Sequence, residues 1–227
     1  MNVSPHISVN KLGEYIFATP AKKRSILKTI KFPSTFKNAR YPEPKSAFLH
    51  FMADSTHNKE TFEQKRHQLL TKAAVSDWEK NKRKCCLEAI DHLIACSETI
   101  LVPYLKYVAE KGLSNTDYDT EIGGVTLHLK PDTLLVDKKT KKITGFFKLI
   151  FSKSRNVEWN EATISAGAIR NHVEKTFVIK LKPENCLVID VFNRRKHNAP
   201  KFLQINKVHV KMACAEIADI WPTINKN

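Results

Sequence analysis

Asp132 and Lys148 are charged residues inside segments built for burial. Asp132 follows Pro131 and interrupts the apolar stretch GGVTLHLKPDTLLV, while Lys148 sits between Phe147 and Leu149 in ITGFFKLIF. Asp and Lys are rarely fully buried unless paired, because a lone desolvated charge is costly or neutralises itself. A sheet that carries both is therefore expected to bring them together. One reaction served by carboxylates and a lysine in such a place is phosphodiester hydrolysis. It needs negative charge offset at the phosphoryl oxygens and a water activated for attack. A magnesium ion held by one or two carboxylates supplies both, and a neighbouring ammonium stabilises the developing charge.

The two apolar runs read as consecutive strands joined by the exposed turn DKKTKK. Strand alternation puts Lys148, Ile150 and Ser152 on one face and Phe147, Leu149 and Phe151 on the other, so the ammonium shares its face with Phe146. Upstream, Ser76 followed by Glu79 has capping-box spacing and starts a long helical stretch that reaches Gly112, bent or broken at Pro103. Downstream, WNEATISAGAIRNHVEKTF reads as a buried helix and NCLVIDVF as a short strand. A final amphipathic helix is stopped by Pro222. From Trp78 onward the order is α-β-β-β-α-β-α.

The first 77 residues read as an all-helical region. Ile7, Val9, Leu12, Tyr15 and Ile16 form one apolar stripe, and Thr19-Pro20 starts a second helix bearing Lys22, Lys23, Arg24, Lys28 and Lys31. The pair loosely resembles a helix-turn-helix, although a basic helix that grips phosphates without reading bases fits better. Residues 33–45 read as an extended connector. The whole chain has 227 residues and a formal charge of +15; residues 1–84 hold 17 basic and 7 acidic side chains, net +10. That bias favours a polyanionic partner, most often nucleic acid. The expected division is a basic helical region over 1–77 and a mixed core over 78–227.

The composition excludes other classes. The hydrophobic share of 42% and six glycines describe a globular chain without a Gly-rich nucleotide cradle. No run approaches the roughly 20 apolar residues of a membrane span. The N-terminus lacks the pattern of a secretory signal, so the expected location is cytoplasmic. Five cysteines lie in apolar segments without paired metal-ligand spacing and read as reduced core residues.

The α-β-β-β-α-β order, with Pro131-Asp132 opening one strand and Lys148 inside the next, resembles the PD-(D/E)XK nuclease superfamily of restriction endonucleases and RecB-type nucleases. The resemblance covers roughly residues 79–195. It implies an α/β (α+β), restriction-endonuclease-like core and metal-dependent cleavage of DNA, most often double-stranded, with Mg2+ or Mn2+. It also implies Asp132 as principal metal ligand, Lys148 as the water-orienting cation, and an acid two residues before the lysine. Here that position is Phe146. Some members carry the acid on the next helix, which maps onto Glu161, with Glu158 as a substitute. Glu88 or Asp91 is a further candidate carboxylate. Enzymes of this fold often act as homodimers. Lys22, Lys23, Arg24 and Lys28 of the basic helix, with Lys153 at the strand end, are the expected nucleic-acid contacts.

Each residue also has a plainer reading. Pro-Asp is a common turn dipeptide, Lys148 can snorkel to the sheet edge, and Glu161 suits the first turn of any helix. Asp190 and His128 read as hydrogen-bonded structural groups. Phe146 in the acid's place favours an alternative: a catalytically silent relative that binds nucleic acid as a recognition or regulatory module.

Overall fold

The computed structural model describes residues 4–33, 40–110 and 118–226. A parallel pair of strands cannot be joined by a tight turn, and this chain meets that constraint with a long helix. Strands β6 (Ile143–Ile150) and β7 (Cys186–Asp190) run parallel, and α6 (Trp159–Thr176) carries the chain between them. The other neighbours in this sheet are antiparallel. β2 (Tyr107–Glu110) and β5 (Thr133–Asp137) lie on one side of β6, and β8 (Arg195–Asn198) closes the other edge, in the order β2-β5-β6-β7-β8. The β5–β6 hairpin turns where expected. Asp137 Oδ1 accepts the backbone N–H groups of Lys139 and Thr140, an Asx turn that also places Lys141 at φ +58°.

Strand alternation divides the core into two layers. On one face Phe146, Cys186 and Val188 pack against α6 and α7 (Gln204–Ile220). On the other, Phe147, Leu149, Leu187 and Ile189 pack against α3 (Pro42–Ala53), α4 (Glu60–Thr71) and α5 (Asp77–Glu98). All five cysteines are buried and unpaired. Ser76 and Glu79 form the expected capping box at the start of α5, and Thr19 caps α2 (Pro20–Lys31) with Pro20 in its first turn.

Mixed α+β architecture is present, with three local corrections. The first concerns the stretch read as helix to Gly112. It ends at Glu98; Tyr107–Glu110 is an edge strand, and Gly112 lies outside the described residues. Its alternating burial, Tyr107 and Ala109 inward, is a two-residue period hidden beside a helical one. Second, VTLH is not part of the main sheet. As β4 (Val125–His128) it joins β3 (Asp119–Ile122) and a strand from the N-terminus in a separate three-stranded sheet. Third, the N-terminal region is not all helical. His6–Ser8 forms that strand, β1, parallel to β4, before α1 (Val9–Ile16) begins. Three residues are too few to carry a period of their own, so long-range pairing decides their state. Of the connector expected over 33–45, residues 34–39 lie outside the described residues, and 42–45 already belong to α3.

Elements from residues 1–77 line both layers. α1 lies so close to α6 that a β-carbon at Gly13 would overlap the Glu161 carbonyl oxygen and stand 2.8 Å from Ser165 Oγ. Ser165 Oγ in turn donates to Val9 O at 3.0 Å. Gly13→Ala is therefore expected to cost about 1–3 kcal/mol through overpacking and to lower the midpoint of the main unfolding transition, measured by calorimetry. An unchanged main transition would mean that α1 folds apart from the sheet.

Candidate functional site

Asp132 stands just before β5, its backbone N–H bonded to Phe147 O, which fixes the carboxylate beside β6. The side chain Oδ2 accepts the Leu149 N–H at 2.7 Å and lies 3.7 Å from Lys148 Nζ. Lys148 points away from Phe147 and Leu149, and its ammonium donates to Lys130 O at 2.8 Å. The expected meeting of the two charges is thus present, with side chains only 12% and 15% exposed. Sequence reasoning missed a third member. Lys45, on the first turns of α3, reaches Asp132 Oδ1 at 2.8 Å. A helix far along the chain gives no local signal of this contact.

Burial pushes the Lys148 ammonium below its ordinary value. Asp132 opposes that shift, while the positive charges of Lys45 and Lys130 add to it. One carboxylate facing two ammonium groups leaves the centre with a surplus of one positive charge, which suits an approaching anion better than a cation.

Glu161 enters a different cluster. It lies in the first turn of α6 and is held by Arg155 at 2.6 Å. Arg155 also reaches Glu14 of α1 at 3.5 Å, and Lys11 and Lys22 bind Glu14 at 2.6 and 3.5 Å. Burial alone would raise the Glu14 carboxyl, but Lys11, Arg155 and Lys22 outweigh it and hold the group below its ordinary value. The cluster borders a cavity of about 370 Å³ floored by Ile150 and Ser165. Two carboxylates meet three cations here, again a surplus of one.

Two of the three remaining candidate acids are also occupied. Glu88 pairs with Lys153, Asp91 with Arg66, and Glu158 is the exposed residue before α6. Asp190 is fully buried and structural, accepting from Val157 N at 2.9 Å and Asn193 Nδ2 at 2.8 Å. His128 holds Asp119 at 2.7 Å. Phe146 is fully buried, so its position offers no metal donor. Among the described residues no three His, Cys, Asp or Glu side chains converge. Asp132 and Glu161 therefore do not fit a shared Mg2+ or Mn2+. Each already has its charge met by more than one cation or N–H donor, or by a tightly bound guanidinium.

The basic residues expected to meet nucleic acid are mostly engaged within the chain. Lys22 pairs with Glu14, Lys23 with Glu216 at 2.7 Å, and Lys153 with Glu88. Arg24 donates to Thr223 Oγ1, and Lys28 is on the same helix, in its last turn. Lys31 of that helix donates to the carbonyls of Trp221 and Ile224. Much of the charge of α2 thus fastens it to α7 and the C-terminal turn.

A second cationic surface lies elsewhere. Lys175, Lys180, Lys201, Lys207 and Lys211 line two adjoining cavities of about 520 and 420 Å³ between α6, α7 and β3. Among the described residues none of the five forms a salt bridge. The sequence holds the clue in retrospect: residues 191–215 contain six Lys and Arg and no Asp or Glu. Among the described residues no helix is long and apolar enough to cross a membrane. No family model, no curated protein and no solved structure matches this chain.

The Asp132 centre has a stability signature. Asp132→Ala leaves Lys148 buried without its counter-charge and Leu149 N–H without an acceptor, so a loss of about 3–5 kcal/mol is expected by denaturant titration. Lys148→Met removes a desolvated charge and leaves Asp132 to Lys45, so its cost is smaller. For pH, the sign follows from the lowered ammonium value. Between that value and the ordinary lysine range the unfolded chain binds more protons, so this group makes stability rise as pH rises through that window. The contribution should vanish in Lys148→Met when stability is compared across that window.

Proposed function

We propose that this chain is a nucleic-acid-binding protein on a nuclease-like core, and that it holds its ligand without hydrolysing it. The order α5-β2-β5-β6-α6-β7 supports the likeness to the restriction-endonuclease core, with the β3–β4 excursion inserted after β2. Asp132 and Lys148, side by side, support it further. The observation that carries the non-hydrolytic reading is the surplus of cation over carboxylate at Asp132 and at Glu161. Positive charge at these places repels a divalent metal and attracts phosphate. The five lysines of the α6–α7 cleft, free of salt bridges among the described residues, are the strongest candidates for backbone contacts. Lys153, whose partner Glu88 is exposed, exchanges partners more easily than buried ions, since exposed ion pairs are weak.

A hydrolytic reading has the adjacency of Asp132 and Lys148 in its favour, and one experiment separates the two. Plasmid and single-stranded substrates are incubated with Mg2+ or Mn2+, and binding is measured over a salt series. The expected outcome is no cutting, with affinity that falls steeply with salt. Lys175→Glu, Lys207→Glu and Lys211→Glu together should weaken binding by at least tenfold, since each removes a phosphate contact and adds repulsion. Metal-dependent cutting abolished in both Asp132→Ala and Lys148→Ala, with folding intact, would instead establish the nuclease.

A further inference from the structure

The outer face of α7 carries an apolar stripe beside its lysines. Eleven large hydrophobic residues are exposed among the described residues, and five of them gather here: Phe17, Phe202, Ile205, Val208 and Met212. Ile205, Val208 and Met212 recur at helical spacing, so they share one side of α7. Phe17 joins them through an edge contact to the His209 ring, with centroids 6.4 Å apart. Phe202, 74% exposed, lies just before α7, three residues ahead of Ile205, with Lys201 Nζ 5.5 Å from its ring centre. Lys207 and Lys211 lie on the adjoining side, toward the cleft that Asn171 and Gln204 also line. Exposed apolar side chains grouped in this way mark a candidate interaction site.

We propose that this face binds single-stranded nucleic acid in preference to duplex, a reading that rests on the nucleic-acid function above. A duplex hides its bases and offers the protein phosphates, so it would engage Lys175, Lys207 and Lys211 and leave the apolar stripe in water. A single strand covers both. Its phosphates follow the lysines while its bases lie on Phe202 and the aliphatic side chains, the combination of charged track and stacking platform that unpaired strands require. The cleft amides of Asn171 and Gln204 offer both donors and acceptors to base edges. A second copy of this chain is a poor occupant. It would bring Lys201, Lys207 and Lys211 against the same three lysines of the other copy.

The test is fluorescence anisotropy with a labelled 20-nucleotide oligo(dT) and a mixed-sequence duplex of about the same length, on the full chain. Wild type is compared with Phe202→Ala/Met212→Ala, both exposed positions where folding is unaffected. The expected result is at least tenfold tighter binding of the single strand. The double variant should lower that affinity about tenfold and leave the duplex affinity unchanged. Log affinity for the strand against log salt should have a slope of about −3.5 if all five lysines meet phosphates. Equal binding of both probes, with no effect of the variant, overturns the strand preference alone. Binding of neither probe at low salt, with capture of a poly-glutamate peptide instead, overturns the nucleic-acid reading as well and assigns the face to an acidic protein.

Discussion

Removing Asp132 and Lys148 from water is tolerable because each meets several partners at once, and the geometry of the main sheet depends on that arrangement. Asp132 is tied to β6 through its own N–H, to Leu149 through Oδ2, and to α3 through Lys45. A single side chain thereby links the β5–β6 hairpin to a helix 87 residues earlier. Lys148 reaches back to Lys130, closing the turn that leads into β5. Buried ion pairs seldom add net stability over apolar packing, but losing one partner strands the other, so such a pair enforces one arrangement.

The same rule recurs on the other side of the molecule. Arg155 joins Glu161 of α6 to Glu14 of α1, where the two helices touch backbone to backbone at Gly13. Arg170 and Glu174, both buried, hold the end of α6 to Leu181 N and to the Pro200 carbonyl before α7. Internal carboxylates in these clusters are each met by cations. Among the described residues, Lys175, Lys180, Lys201, Lys207 and Lys211 form no salt bridge and line the α6–α7 cleft beside exposed apolar side chains.

The sequence made the central hairpin legible because two signals agreed there, the alternating apolar runs and the turn chemistry of Asp137. The juxtaposition of Asp132 and Lys148 was legible from the cost of burying either alone. Capping residues located the starts of α2 and α5. What could not be read was set by distant partners. β1 is a strand only because β4 lies beside it, and Tyr107–Glu110 is a strand because β5 pairs with it. Glu161 sits where spacing placed it, at the start of α6, yet which cation it faces depends on how α1 docks. Lys45 gave no sign in its own segment. The basic helix α2 was visible, but its role as a fastening to the C-terminal turn was not, since Lys23 and Lys31 look the same whether they meet a phosphate or Glu216 and Trp221 O.

The most direct measurement is a Mn2+ titration followed by backbone amide NMR, because the paramagnetic ion broadens only resonances near where it binds. The account expects the Leu149 amide, which donates to Asp132, and the Glu161 amide to keep their intensity at stoichiometric Mn2+. Both acids are already satisfied within the chain. Selective loss of both resonances at one equivalent of metal would contradict it, showing that Asp132 and Glu161 exchange their lysine and arginine partners for a shared ion.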